Sequence, residues 1–394
     1  MGLFFGTVFG IYFIINAYMF ARLYMTLAGF GAFRAVVCVL FLICSASFPI
    51  GRVFGHNFPA GLDDFLKLTG SLYIAPMIYA CILTVATDIF RALNSVIAIT
   101  HNPPPFSAGV RFCSVTTILA LSVLITAAGI WNANTPVVVT HDVEWEAPDD
   151  APGASLKIAV ISDIHLGQFT GPSYIKKIAD LLNEQQPDIV LLVGDMVDEN
   201  SFFRNAPRVE ETERMMASFK SRLGTWAVMG NHDYYTGAAN VTEFLFRSNV
   251  ALLGDKAAVP GGEIILVGRD DRTVERMGAR RKSIEDIIAE SIADSSIYGL
   301  PMIVMDHQPF ALEEAERAGA ALQVSGHTHR GQLFPVNFIV SMMYEKHYGL
   351  YKKGDTNYYI TSGAGVWGPP VRTIGRPEIA ILNLSHKTKG ASGL

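Results

Sequence analysis

Four short polar clusters recur through the later part of this sequence: Asp163-Ile164-His165, Gly194-Asp195 with Asp198, Gly230-Asn231-His232-Asp233, and Gly326-His327-Thr328-His329. His307 stands alone between the last two. Carboxylates, a carboxamide and imidazoles are oxygen and nitrogen donors for divalent cations. With no thiolate among them, the set suits Mn, Fe or Zn better than Ca. Asp163 and His165 are two residues apart, as are His327 and His329. At that spacing in extended backbone both side chains point the same way and can reach one ion. Asp195 follows a glycine, which lets the chain turn sharply, and its two oxygens could bridge two ions.

This donor set predicts a pair of cations about 3.5–4 Å apart, which bind phosphate oxygens and lower the pKa of a shared water to about 7. The expected reaction is hydrolysis of a phosphate ester by direct attack of metal-bound hydroxide, with no covalent enzyme intermediate. His232, beside Asn231, is placed to protonate the leaving oxygen. Asp198 or Asp233 would orient its ring and raise its pKa. One cluster alone would carry little weight, because an isolated Asp-x-His is an ordinary surface or capping feature. Clusters in this order share no structural reason to coexist. His56, His101, His141, His347 and His386 fall outside the pattern and read as ordinary.

Each cluster follows an apolar run. Residues 156–162, 188–193 and 225–229 read as strands ending at the first three, and 264–268, 302–305, 321–325 and 358–361 as further strands. Residues 173–186, 209–221, 283–290 and 311–318 have helical character, with Ser173 a candidate cap for the first. Strand–helix alternation predicts a parallel-rich sheet, and the strand-rich second half a second sheet. The expected fold is therefore an α/β four-layer α-β-β-α sandwich, with chemistry carried on its strand ends.

Ahead of it the composition changes. Only six of the 31 Lys and Arg and three of the 36 Asp and Glu occur up to Trp131, so 25 basic and 33 acidic residues follow. That balance argues against nucleic acid as a partner. Cys38, Cys44, Cys81 and Cys113 all lie in the apolar third, so the remainder has neither a disulfide framework nor a cysteine-ligated metal. Charge-free runs at 1–21, 35–51, 68–87 and 112–131 predict a transmembrane anchor of about four helices over residues 1–131. No basic residue precedes the first run and Arg22 follows it, unlike a cleaved signal peptide. Residues 132–155 read as a linker, with a possible edge strand at 135–145 and a turn at 149–154. Residues 156–394 form the catalytic domain.

Together these residues resemble the calcineurin-like metallophosphoesterases in order and spacing, over residues 156–384. The stretch from Gly326 to Gln332, with Ser362-Gly-Ala-Gly365 and Gly368-Pro-Pro-Val-Arg372, is similar to the YkuE-type membrane-associated branch, which includes UDP-diacylglucosamine hydrolase-like enzymes. The resemblance implies one metal on Asp163, His165, Asp195 and His329, a second on Asp195, Asn231, His307 and His327, and His232 as the acid with Asp198 as its partner. Arg330 and Arg372 could clamp substrate phosphate, Arg372 being the better candidate because the tail motif contains it, or either could form a structural ion pair instead. The implied activity is a metal-dependent phosphodiesterase acting on a phosphodiester or phosphoanhydride of a lipid-linked substrate beside the bilayer. Alternatives are a UDP-diacylglucosamine pyrophosphohydrolase of lipid A biosynthesis, or a non-catalytic metal-binding membrane scaffold, which the intact His232 argues against.

Two other segments attract notice. Arg269, Arg272, Arg276 and Arg280 could form a helical stripe toward anionic headgroups, against a solvated face balanced by Asp270, Asp271 and Glu275. Residues 333–350, unusually apolar, either line an acyl-chain groove or dip into lipid, or else pack into the core. Arg22, Arg34, Arg91 and Arg111 flank loops one and three, against Arg52 and Lys67 in loop two. This predicts a multi-pass inner-membrane protein with its catalytic domain in the periplasm or outside the cell. A C-terminal alkaline phosphatase fusion should therefore be active and a C-terminal green fluorescent protein fusion dark. The opposite pair of signals would reverse the orientation.

Overall fold

The computed structural model describes residues 2–97, 107–146, 155–292 and 299–386. Two compact units are present, one of Met1–Ile130 with Gly368–Val371 and one of Trp131–Trp367 with Arg372–Leu394.

The first unit is helical: α1 (Gly2–Thr26), α2 (Gly31–Phe54), α3 (Ala60–Ile97) and α4 (Ala108–Ala133). Among the described residues three stretches, Gly31–Phe54, Gly61–Ile97 and Gly109–Ala133, are long and apolar enough to cross a membrane, against the four expected. The expected first span begins at Met1, outside the described residues, and α1 covers it from Gly2. The second run, short in sequence, lies within a helix of 24 residues that continues through Pro49.

The second unit follows the layered plan. Its strands are β1 (Val137–Trp145), β2 (Leu156–Ile161), β3 (Ile189–Val193), β4 (Thr225–Val228), β5 (Ala251–Leu252), β6 (Lys256–Ala258), β7 (Ile265–Gly268), β8 (Met302–Met305), β9 (Leu322–Ser325), β10 (Gly349–Lys353), β11 (Thr356–Ile360) and β12 (Glu378–His386). Its helices are α5 (Pro172–Gln185), α6 (Ala206–Met216), α7 (Asn231–Arg247), α8 (Thr273–Arg276), α9 (Ile284–Ser291), α10 (Glu313–Arg317) and α11 (Val336–Met343). One sheet has the order β1-β12-β2-β3-β4-β5 and the other β10-β11-β9-β8-β7-β6. β2, β3, β4 and β5 run parallel, as do β7, β8, β9 and β11, with antiparallel pairs at β12–β2, β6–β7 and β10–β11. β1 is an edge strand, parallel to β12. The turn expected at 149–154 falls outside the described residues.

Alternation along the strands builds three apolar layers. Ile158, Val160, Leu191 and Val193 meet Ile303, Met305, Leu322 and Val324 between the sheets. Ala159, Ile161, Val190 and Leu192 face Ile175, Ile178 and Leu182 of α5 and Phe244 of α7. Val304, Tyr358 and Ile360 pack with Ile284 and Ile287 of α9. Strands buried on both faces explain the continuous apolar runs in the sequence.

The arginine stripe does not form. α8 ends at Arg276, so no single helix carries all four residues. Arg269 is buried, pairing with Asp306 and Glu314, and Arg281 also pairs with Asp306. Arg269 and Arg281 serve an internal network, while Arg272, Arg276 and Arg280 are exposed.

Candidate metal centre

Every cluster sits at the carboxyl end of a parallel strand: β2 for Asp163, β3 for Asp195, β4 for Asn231, β8 for His307 and β9 for His327. Ligands bind outside the carboxyl ends of strands in open α/β sheets. Backbone bonds tie the loops together. Asp163 N–H donates to Gly194 O, His165 N–H to Asp195 O and Gly326 N–H to His307 O. His327 N–H reaches both oxygens of Asp163 at 3.0 Å, which joins the two sheets. Asp233 accepts from the N–H groups of Met196, Val197 and Gly230. It clamps the β3 and β4 loops and does not orient the His232 ring.

The turns at these strand ends are tight. Asp163, His165, Asp195, His327 and His329 all have φ between 49° and 69°. Non-glycine residues seldom adopt this left-handed conformation, and such strain persists only where surroundings enforce it, typically at functional sites. Glycines let the ligands close in. A Cβ at Gly230 would overlap Oδ1 of Asp195, and one at Gly326 would overlap Oδ2 of Asp163.

Among the described residues three groups of donors result, one of them His165, Asp198 and His232 at the edge of the site. Asp163, His165 and His329 form the second, and Asp195, His307 and His327 the third, each with ligand atoms within 4.8 Å of one another. Asp195 stands between them. Its Oδ2 lies 3.1 Å from Nε2 of His307 and 3.8 Å from Nε2 of His165. Nε2 of His165 and Nε2 of His329 face each other at 3.0 Å. Nδ1 of His307 donates to Val193 O at 2.7 Å, which leaves Nε2 as the second nitrogen. That Nε2 faces the Asp195 carboxylate, and Oδ1 of Asn231 is buried without a hydrogen-bond partner. An orphaned carboxamide oxygen beside buried carboxylates and imidazoles fits a divalent cation, because a buried polar atom left unpaired is costly.

The electrostatics agree. Burial pushes Asp163 up, more than the attraction of His307 lowers it. Burial also opposes charge on Asp195, but His307 outweighs it and holds Asp195 well below the usual carboxylate range. The reverse contest raises His307 well above its ordinary value. Burial and the charge on His307 depress His327 to about 4, so it is a neutral nitrogen donor near pH 7.

Asp198 lies at the edge of this arrangement. Its Oδ1 is 2.8 Å from Nδ1 of His232 and 3.2 Å from Nδ1 of His165. Burial opposes its charge, yet hydrogen bonds to these rings prevail and keep Asp198 ionised. The His232 ring lies among Trp367, Tyr235 and His165, at centroid distances of 5.8, 6.0 and 4.9 Å. Trp367 and Tyr235 gave no sequence signal, since neither falls within a polar cluster.

The two arginines part company. Arg330 is half-buried and stacks its guanidinium over Tyr348 at 4.2 Å. Arg372 is fully buried; its guanidinium bonds to Ser362 O and to Gly365 O and lies 3.2 Å from Nδ1 of His329. That placement does not suit the expected phosphate clamp. It supports the imidazole from behind.

A family profile described as calcineurin-like phosphoesterase matches residues 156–331. An uncharacterized metallophosphoesterase of Campylobacter jejuni is 28% identical over 382 residues, 95% of this chain and 96% of its own. One from Aquifex aeolicus is 30% identical over 237 residues, 60% of this chain and 87% of its own. A transmembrane protein with metallophosphoesterase domain from Danio rerio is 32% identical over 283 residues, 69% of this chain and 61% of its own.

Asp195 raises His307 and burial raises Asp163, so cation loading near neutral pH competes with protonation of the site. Titration calorimetry in buffers of different ionisation enthalpy should show net proton release, with affinity falling as pH falls. Buffer-independent heats would contradict the assignment.

Proposed function

Since the chain belongs to the calcineurin-like metallophosphoesterase family, we propose that it hydrolyses a phosphodiester or phosphoanhydride of a lipid-linked substrate at a two-cation site. The position of Asp195 between the two imidazole groups carries this reading. Asp163, His165, Asp195 and His329 would hold one ion, and Asp195, Asn231, His307 and His327 the other. Bound Mn, Fe or Zn would polarise the phosphate and lower the pKa of a water to about 7.

The remaining work belongs to side chains. His232 has Nδ1 tied to Asp198, which leaves Nε2 to give a proton to the departing oxygen. Asp198 stabilises the ring while it is charged and returns it to the same orientation afterwards. The same carboxylate touches His165, so it couples the acid to a metal-binding imidazole. Trp367 and Tyr235 set their rings edge-on to His232 and limit how it can turn. The apolar helices that precede the site make a lipid-linked phosphate the favoured substrate class. The distribution of basic residues in the loops supports an inner-membrane protein with this site on the extracytoplasmic side.

The full chain in detergent should hydrolyse bis-p-nitrophenyl phosphate only with a divalent cation, and Asp195→Ala should abolish turnover. His232→Gln should lower kcat about 10²–10⁴-fold for a substrate with an alkyl leaving group, which needs a proton. It should matter far less for p-nitrophenolate, which departs unaided. A rate untouched by Asp195→Ala would end this reading, and equal losses for both leaving groups would remove His232 as the acid.

A further inference from the structure

The segment that follows the last cluster did not join the core. α11 is apolar at Val336, Phe338, Ile339, Val340, Met342 and Met343, yet it has no buried residue. Phe338, Ile339, Met342 and Met343 are 57%, 56%, 78% and 62% exposed, and Phe334 adds 46% just before the helix. A helix apolar on nearly all sides normally lies inside a protein or in lipid. A contiguous exposed patch of this kind marks a docking surface.

Both ends of α11 are fixed to the metal centre. At its start, Asn337 N–H donates to Leu333 O, and Gly331 approaches the Asn337 backbone so closely that a Cβ would not fit. Gly331 is two residues from His329. At its end, the ring of Tyr344 packs on Phe310 at 4.8 Å and on His327 at 6.2 Å. α11 is therefore tied through Gly331 and Tyr344 to the segments that carry His329 and His327.

The chemistry of the surroundings selects the occupant. Arg330 and Lys346 flank the helix, while Lys352 and Lys353 pair with Glu146 and Glu345. Apolar side chains next to cations suit the boundary between acyl chains and anionic headgroups. The same chain carries helices long and apolar enough to cross a membrane, so a bilayer is at hand.

We propose that α11 enters the headgroup–acyl boundary of an anionic leaflet and delivers a lipid-borne phosphoester to the metal centre. The insertion stands on the exposed helix; the delivery rests on the lipid-linked substrate proposed above.

The test uses the full chain with its cysteines (Cys38, Cys44, Cys81 and Cys113) replaced by alanine and Met342→Cys carrying a bimane label. The protein is reconstituted in nanodiscs of phosphatidylethanolamine and phosphatidylglycerol. Asp180→Cys, on the exposed face of α5, supplies the control. Brominated acyl chains should quench the label at 342 about threefold or more beyond the control. Adding Phe338→Asp and Ile339→Asp should remove that excess while bis-p-nitrophenyl phosphate turnover stays within about twofold. Equal quenching at both positions would overturn the proposal. So would a disulfide between unlabelled Met342→Cys chains with no lipid quenching, which would make the face a contact between copies. If turnover is absent but quenching persists, the phosphoesterase reading fails and the insertion stands.

Discussion

Burying carboxylates is costly, and this protein buries a group of them at one place. Asp163, Asp195 and Asp233 are at most 1% exposed, and imidazoles rather than lysines or arginines face the first two. In a low-dielectric interior such charge needs compensation from a proton, a cation or hydrogen bonds. Asp233 draws on backbone N–H groups. Asp195 draws on His307, whose pKa it raises well above the usual value. Asp163 is left pushed up by burial. A pair of divalent cations would meet the remaining demand, and the rest of the catalytic unit can be read as the scaffold that keeps these groups together.

That scaffold works through backbone more than through side chains. Parallel strands from two sheets end beside one another, and hydrogen bonds between their loops fix the spacing. Five candidate ligands occupy the left-handed region, which turns each side chain off its strand and into the site. Glycines at 194, 230 and 326 remove the atoms that would otherwise collide with ligands from the neighbouring loop. The cores on either side of the sheets supply the rigidity against which this strain is held.

Much of this was legible in sequence because polar residues that end apolar runs stand out. The strands before Asp163, Asp195, Asn231, His307 and His327 were all readable, and so was the layered fold. α7 was not, because it begins within a cluster: Asn231 is its first residue and Asp233 its capping side chain, so helix signal and ligand signal coincide. β12 escaped notice although it joins β1 to the rest of its sheet, since that pairing spans most of the domain in sequence. The arginine stripe misled because spacing cannot distinguish a solvated helix face from a buried ion network, and Arg269 belongs to the latter. Arg372 misled for a similar reason: a buried guanidinium behind an imidazole and one on a substrate look alike in sequence. The apolar stretch after His329 was open between core and surface, and only its exposure decides the matter.

The account depends most on two cations sharing Asp195. Anomalous difference density from crystals of the full chain grown with Mn²⁺ tests this directly. The account predicts two peaks about 3.5–4 Å apart, one beside Asp163, His165 and His329, the other beside Asn231, His307 and His327, with Asp195 between them. A single peak away from Asp195, or none at all in active material, would contradict it.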